Sequence, residues 1–133
     1  MNNAPPAVSF GCQRCWPASA HDAWTARASL SHEATLVEEP HFIVSLQSCP
    51  DCTQRFISVF TETISWAGDN DRQGWVRYPV TVDEAARLTG PQAPLTHADL
   101  DGLDRDRRSL IRGVAASGST CDWSKGLSVG WHD

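Results

Sequence analysis

Lysine is all but missing from this chain. Lys125 is the single one among 11 basic residues, set against 16 acidic residues and a formal charge of −5. Binding to a phosphate backbone requires clustered Lys and Arg. The one basic doublet, Arg107-Arg108, lies beside Asp104 and Asp106, which cancel its field, so nucleic acid is not an expected partner. Long apolar runs are missing too. No stretch approaches the roughly 18 residues that cross a bilayer. The opening residues, MNNAPPAVSF, carry neither a basic flank nor an apolar run, so no secretory leader is expected. An even cysteine count is also lacking. Five cysteines do not suit a disulfide framework, and a reducing cytoplasm is the expected compartment. The usual catalytic patterns are absent. There is no Ser/His/Asp spacing, no paired carboxylates and no Gly-rich phosphate loop. The H-x-E plus P-C-x-x-C pattern of nucleobase deaminases fails as well: Ser48 precedes Cys49, and His32 and Glu33 are adjacent.

What is present centres on residues 42–66, FIVSLQSCPDCTQRFISVFTETISW. Phe42, Ile43, Val44 and Leu46 form an apolar, β-branched run suited to a pleated surface. Beyond Cys52, Phe56, Phe60, Ile64 and Trp66 share one parity and would line one face of a strand. Ile57 and Val59 point the other way, so the first half of this strand is expected to be covered on both faces. Between the strands, Cys49-Pro50-Asp51-Cys52 makes a tight turn that aims two sulfurs at one point, with Pro50 fixing its own φ. A second pair, Cys12 and Cys15, has the same spacing. Two CxxC pairs predict one tetrahedral Zn²⁺ held by four thiolates. Four thiolates and one dication would take the charge from −5 to about −7.

At this point the sequence resembles zinc-ribbon proteins, in which a β-hairpin carries one CxxC knuckle and a separate knuckle completes the site. The resemblance covers residues 12–66 and implies that Cys12, Cys15, Cys49 and Cys52 hold a structural zinc. It departs from the pattern in the length between the pairs, residues 16–48, which an inserted helix would explain.

The remaining elements follow in order. Residues 1–9 read as a flexible lead-in to a single domain over 10–133. Within that domain, 10–66 form the ribbon-like part and 67–133 the rest. Ala23, Ala26, Leu30, Ala34 and Val37 recur at helical spacing, with Ser19 as N-cap, and predict the inserted helix, although its later part from Ser31 also suits a strand. Residues 67–74 form a polar, Gly-bounded loop, and 75–80 a third strand placed near an edge or end by Pro79. Thr81 to Glu84 and Thr96 to Asp99 are capping boxes opening two short helices. Residues 109–114 and 120–123 suggest a hairpin turning at Gly118. The expected fold is α+β: a zinc-ribbon-like hairpin extended to a small antiparallel sheet, with short helices and a C-terminal hairpin.

Function is expected to be binding, without catalysis. Four cysteines close a zinc shell that a catalytic site would leave open to water. His21, His32, His41 and Cys121 are the residues that could replace a cysteine. Six tryptophans are many for this length, and Trp is enriched among interface anchors. Trp16, Trp24, Trp66 and Trp123 read as packing residues. Trp75, with Asp69 and Asp71 in the loop beside it, reads as a partner-binding surface. The partner would be another protein, and the acidic balance would steer a basic one. Two alternatives stand beside this reading: an acidic inhibitor of the immunity or antitoxin kind, and a thiol redox enzyme using Cys49 and Cys52 after a strand.

Overall fold

Six strands pair in the order in which they occur along the chain. In the computed structural model, which describes residues 10–64, 71–90 and 95–129, they form one antiparallel sheet. The strands are β1 (Ser31–Glu39), β2 (Phe42–Ser48), β3 (Arg55–Thr63), β4 (Arg72–Val80), β5 (Arg108–Ala115) and β6 (Gly118–Lys125). Three short helices accompany them: α1 (Ala20–Thr25), continued by a 3₁₀ turn (Ala26–Ser29), α2 (Val82–Leu88) and α3 (His97–Asp101).

The alternation of side chains along β2, β3 and β4 divides the protein into two cores. On one face, register aligns Leu46 with Ile57 and Ile57 with Tyr78. These residues, with Phe42, Val44, Val59 and Val80, are buried under Ala85 of α2, Leu100 of α3, Leu103 and Leu127. On the other face, Phe56 and Leu110 are buried under the N-terminal segment, which contributes Cys15, Trp16 and Ala23. The expectation that the first half of β3 is covered on both faces is met: Phe56 and Ile57, adjacent in sequence, are both fully buried.

The N-terminal layer is held by aromatic and cationic contacts. Trp16 packs on Phe56 at 5.0 Å and edge-on to Trp123 at 4.8 Å. Arg108 lies 3.5 Å over the Trp123 ring and donates to the Trp16 and Pro17 carbonyls. The opposite layer is fastened by an ion pair. Arg107 meets Glu84 with side chains only 10% and 7% exposed. The same Glu84 closes the α2 capping box by accepting from the Thr81 N–H at 2.8 Å. Both predicted capping boxes form, and Ser19 caps α1 by accepting from the Asp22 N–H.

Three expectations need correction. The inserted helix does not run over 20–37. It stops at Thr25, and residues 31–39 form β1, paired with β2. A β-branched, apolar stretch beside an available strand edge gains more from ladder bonds than from helical ones, and Leu36 and Val37 thereby reach the first core. Second, residues 72–74 belong to β4 and not to the loop, so Trp75 lies well inside a strand. Third, Arg107 is not neutralised by its sequence neighbours; its partner is Glu84. Pro79 does lie near a strand end, since the β4–β5 register stops at Arg77 opposite Leu110. Trp66, Asp69 and the lead-in fall outside the described residues.

Candidate metal centre

Both CxxC pairs sit on turns whose backbone is committed to shaping them. The first turn closes with the Trp16 N–H on the Cys12 carbonyl at 2.8 Å. Gly11 enters it at φ +72°, and a β-carbon there would stand 2.6 Å from Trp16 Cβ and 3.1 Å from Cys15 Sγ. Glycine is required on both counts. The second turn links β2 to β3. The Thr53 N–H reaches the Cys49 carbonyl at 2.9 Å, the Cys49 N–H reaches the Gln54 carbonyl at 2.9 Å, and Thr53 adopts φ +65°.

Two bridges join the turns. Gln54 Oε1 accepts from the Gly11 N–H at 3.1 Å, while its Nε2 donates to the carbonyls of Arg55 and Val80 at 2.8 and 2.9 Å. One side-chain amide therefore ties the first turn to the second and to the end of β4. Arg14 and Asp51, each third in its CxxC motif, pair at 2.7 Å on the exposed side. The Arg14 side chain is 59% exposed and its guanidinium meets the Asp51 carboxylate.

The four sulfurs converge. Cys12 Sγ is 3.7 Å from Cys15 Sγ and 3.9 Å from Cys49 Sγ, and Cys15 Sγ is 3.7 Å from Cys52 Sγ. All four lie within 4.8 Å of one another. Four thiolates about 2.3 Å from a single ion occupy tetrahedron corners about 3.8 Å apart, so the spacing fits a tetrahedral metal. Cys15 and Cys49 are buried, and Cys12 and Cys52 half-buried. The Cys12 N–H points at Cys15 Sγ from 3.2 Å, the kind of bond that stabilises a thiolate.

The thiol chemistry follows from this packing. Backbone N–H groups, that of Cys15 foremost, draw Cys12 down to about 7 against the upward push of burial. Burial pushes Cys15 and Cys52 up. A tightly packed tetrad of this kind cannot ionise fully on its own, and a bound dication reverses the balance by stabilising all four thiolates.

Three of the four residues considered as substitute ligands are engaged elsewhere, and His21 is exposed on α1. His41 bonds Glu62 at 3.1 Å, and His32 bonds Thr35 at 3.1 Å. Cys121 on β6 faces the Ala20 carbonyl at 3.4 Å and packs against the second core. Among the described residues, the four cysteines are the only group of three or more ligand side chains placed so that they could hold a metal ion.

The proposed partner surface is less unified. Trp75 is half-buried on the sheet, 5.4 Å from Trp24 and 5.2 Å from Phe60. Asp71 is exposed just before β4, and Asp69 lies outside the described residues. Sequence reasoning placed Trp75 beside a loop because Gly74 resembles a turn boundary. The strand partner Gly113, opposite Gly74 in β5, shows instead two glycines facing each other mid-sheet. No helix among the described residues is long and apolar enough to cross a membrane. Comparison with protein-family models, with curated proteins and with solved structures gave no match.

Proposed function

We propose that this chain is a small cytoplasmic binding module, non-catalytic, in which one structural Zn²⁺ fastens the N-terminal layer to the sheet and the partner is another protein. The observation that carries the reading is the spacing of the four sulfurs, 3.7–3.9 Å between the closest pairs, at the edge length of a zinc tetrathiolate. Four cysteines fill the coordination of such an ion and leave no position for a substrate or water. The site also continues into the second core through Cys15 and Cys49, as a fastening would. Five unpaired cysteines suit a reducing compartment. In a thiol redox enzyme, Cys52 would lead into a helix; here it leads into β3. Elemental analysis of unchelated protein tests the reading. One zinc per chain is expected, with four thiols protected from titration until a chelator is added. Well under one zinc, with all five thiols freely reactive, would refute it.

A further inference from the structure

The metal-anchored layer covers only part of its sheet face. Register places Ile43, Phe60, Trp75 and Arg112 in one row across β2 to β5, and Ser45, Ser58, Arg77 and Leu110 in the next. Residue 24 and the 3₁₀ turn after it overhang one side of these rows. The result is an open trough of about 620 Å³ with Trp24, Trp75 and Phe60 along it and Ser45 and Ser58 on its floor.

Arg27 and Arg77 line this trough and Arg112 lies beside it, next to Trp75 in register; none of the three has a carboxylate partner among the described residues. Arg77 is 4% exposed and lines the trough. Among the described residues its bonds are to neutral acceptors, Gln47 Oε1 at 3.4 Å and the Ala23 carbonyl at 3.3 Å, out of five N–H donors. Arg112 has a buried Nε with no partner among the described residues. Arg27 and Arg112 lie 4.3 and 5.4 Å from the Trp24 ring centroid, so both flank the same indole. A buried guanidinium without a counter-charge is costly, and an unpartnered buried donor adds to that cost. In a chain of charge −5, one buried guanidinium, one half-buried and one exposed, all near the same aromatic wall and without a carboxylate partner among the described residues, are not explained by the fold.

We infer that the trough docks an extended peptide segment of a protein partner, placing one carboxylate on the Arg27/Arg77 side and an apolar or aromatic side chain against Phe60 and Trp75. The dimensions suit a peptide. From Ile43 to Gln47 along β2 is about 14 Å and from β2 to β4 about 10 Å at ordinary strand spacing, room for about four extended residues. The charge is one-sided. Register puts Glu38 beside Ile43 on the β1 side, and Glu62 lies in the row beyond Phe60, bonded to Gln73 and His41. A polyphosphate would meet these carboxylates, whereas a segment with a single acidic group would not. This inference rests on the binding-module reading, because the metal centre holds in place the segment that bears Trp24 and Arg27.

The test is selection of a displayed random heptapeptide library on the metal-loaded full chain, followed by titration of the winning synthetic peptide with zinc content measured in every sample. The winners are expected to share an Asp or Glu next to an apolar residue. Replacing that carboxylate by its amide should weaken binding at least about tenfold. Arg27→Gln, on an exposed residue, should weaken it several-fold with metal content and melting unchanged, and Arg77→Gln should weaken it further. No enrichment, winners that are basic, indifference to the amide replacement, or stoichiometric displacement of the peptide by a single-stranded oligonucleotide would each overturn the inference. Full zinc without peptide binding would sink this inference alone; peptide binding by a chain that holds no zinc would sink the metal reading alone.

Discussion

Replacing Gly11 by alanine isolates what the first cysteine turn contributes. At φ +72° an L-residue pays about 1–2 kcal/mol for the left-handed conformation. The new methyl would also sit 2.6 Å from Trp16 Cβ and 3.1 Å from Cys15 Sγ, inside contact distance; the Cβ is fixed to the backbone, and the sulfur is held within the cysteine cluster. Overpacking of this kind costs about 1–3 kcal/mol. Together the two effects amount to about 2–5 kcal/mol, or about 30-fold to several thousand-fold in an equilibrium constant. The strain falls on the turn that presents Cys12 and Cys15, so it is expected to appear as weaker metal binding. Competition against a chromophoric chelator reads it directly. Gly118→Ala is the matched control. Gly118 has φ +131° and nothing within 4 Å of a built β-carbon, so that variant should lower the melting temperature and leave metal affinity unchanged. Equal affinities for Gly11→Ala and the unaltered chain, within about threefold, would refute the argument that this glycine is required by the metal turn.

Three further outcomes are expected. Cys49→Ser should abolish metal binding and release the N-terminal layer, seen as a red shift in Trp emission, while Cys121→Ser should retain a full metal complement; loss of metal from both would show that Cys121 belongs to the site. Burial raises the Glu84 carboxyl, but the Arg107 guanidinium and the Thr81 N–H outweigh it and hold the carboxyl below its ordinary 4.5. The stability it confers is therefore present above about pH 4.5 and lost as pH falls through the lower folded value. Glu84→Gln should flatten that acid limb in denaturation curves and cost about 3–5 kcal/mol at neutral pH by stranding Arg107; an unchanged acid limb would refute the assignment. Trp75→Ala, on a half-buried ring, should cost less than the roughly 3–5 kcal/mol of a fully buried aromatic and weaken partner binding by about 2 kcal/mol or more. A large loss of melting temperature with partner binding intact in the folded fraction would make Trp75 a packing residue only.

The cysteine tetrad was legible because two-residue spacing between cysteines is a local signature, and the hairpin carrying Cys49 and Cys52 follows from alternation alone. Helix starts were legible for the same reason, since Ser19, Thr81 and Thr96 cap within three or four residues. What escaped was decided by distant partners. Residues 31–39 carry apolar positions compatible with either period, and only the edge of β2 settles them as a strand. Glu84 and Arg107 are 23 positions apart, and each had a closer, plausible role in sequence. The trough arises from α1, the 3₁₀ turn and three strands, and no single segment carries a trace of it.

The order of the sheet bears on how the chain reaches this state. Every strand pairs with its neighbour in sequence, so the ladder from β1 to β6 can grow by successive neighbour pairings, the longest connection being residues 81–107 between β4 and β5. The contacts that span the chain belong to the N-terminal layer: Arg108 to Trp16 across 92 positions and Trp123 to Ala18 across 105. Those closures are entropically the most expensive, and they follow the segment that the cysteine turns hold. The expected kinetics are a sheet-forming phase indifferent to metal and a later docking phase whose amplitude depends on it. Stopped-flow refolding with and without zinc, followed by Trp fluorescence, would distinguish this from a single metal-dependent step. The metal would then act as the latch on the closure that joins the two ends of the described chain.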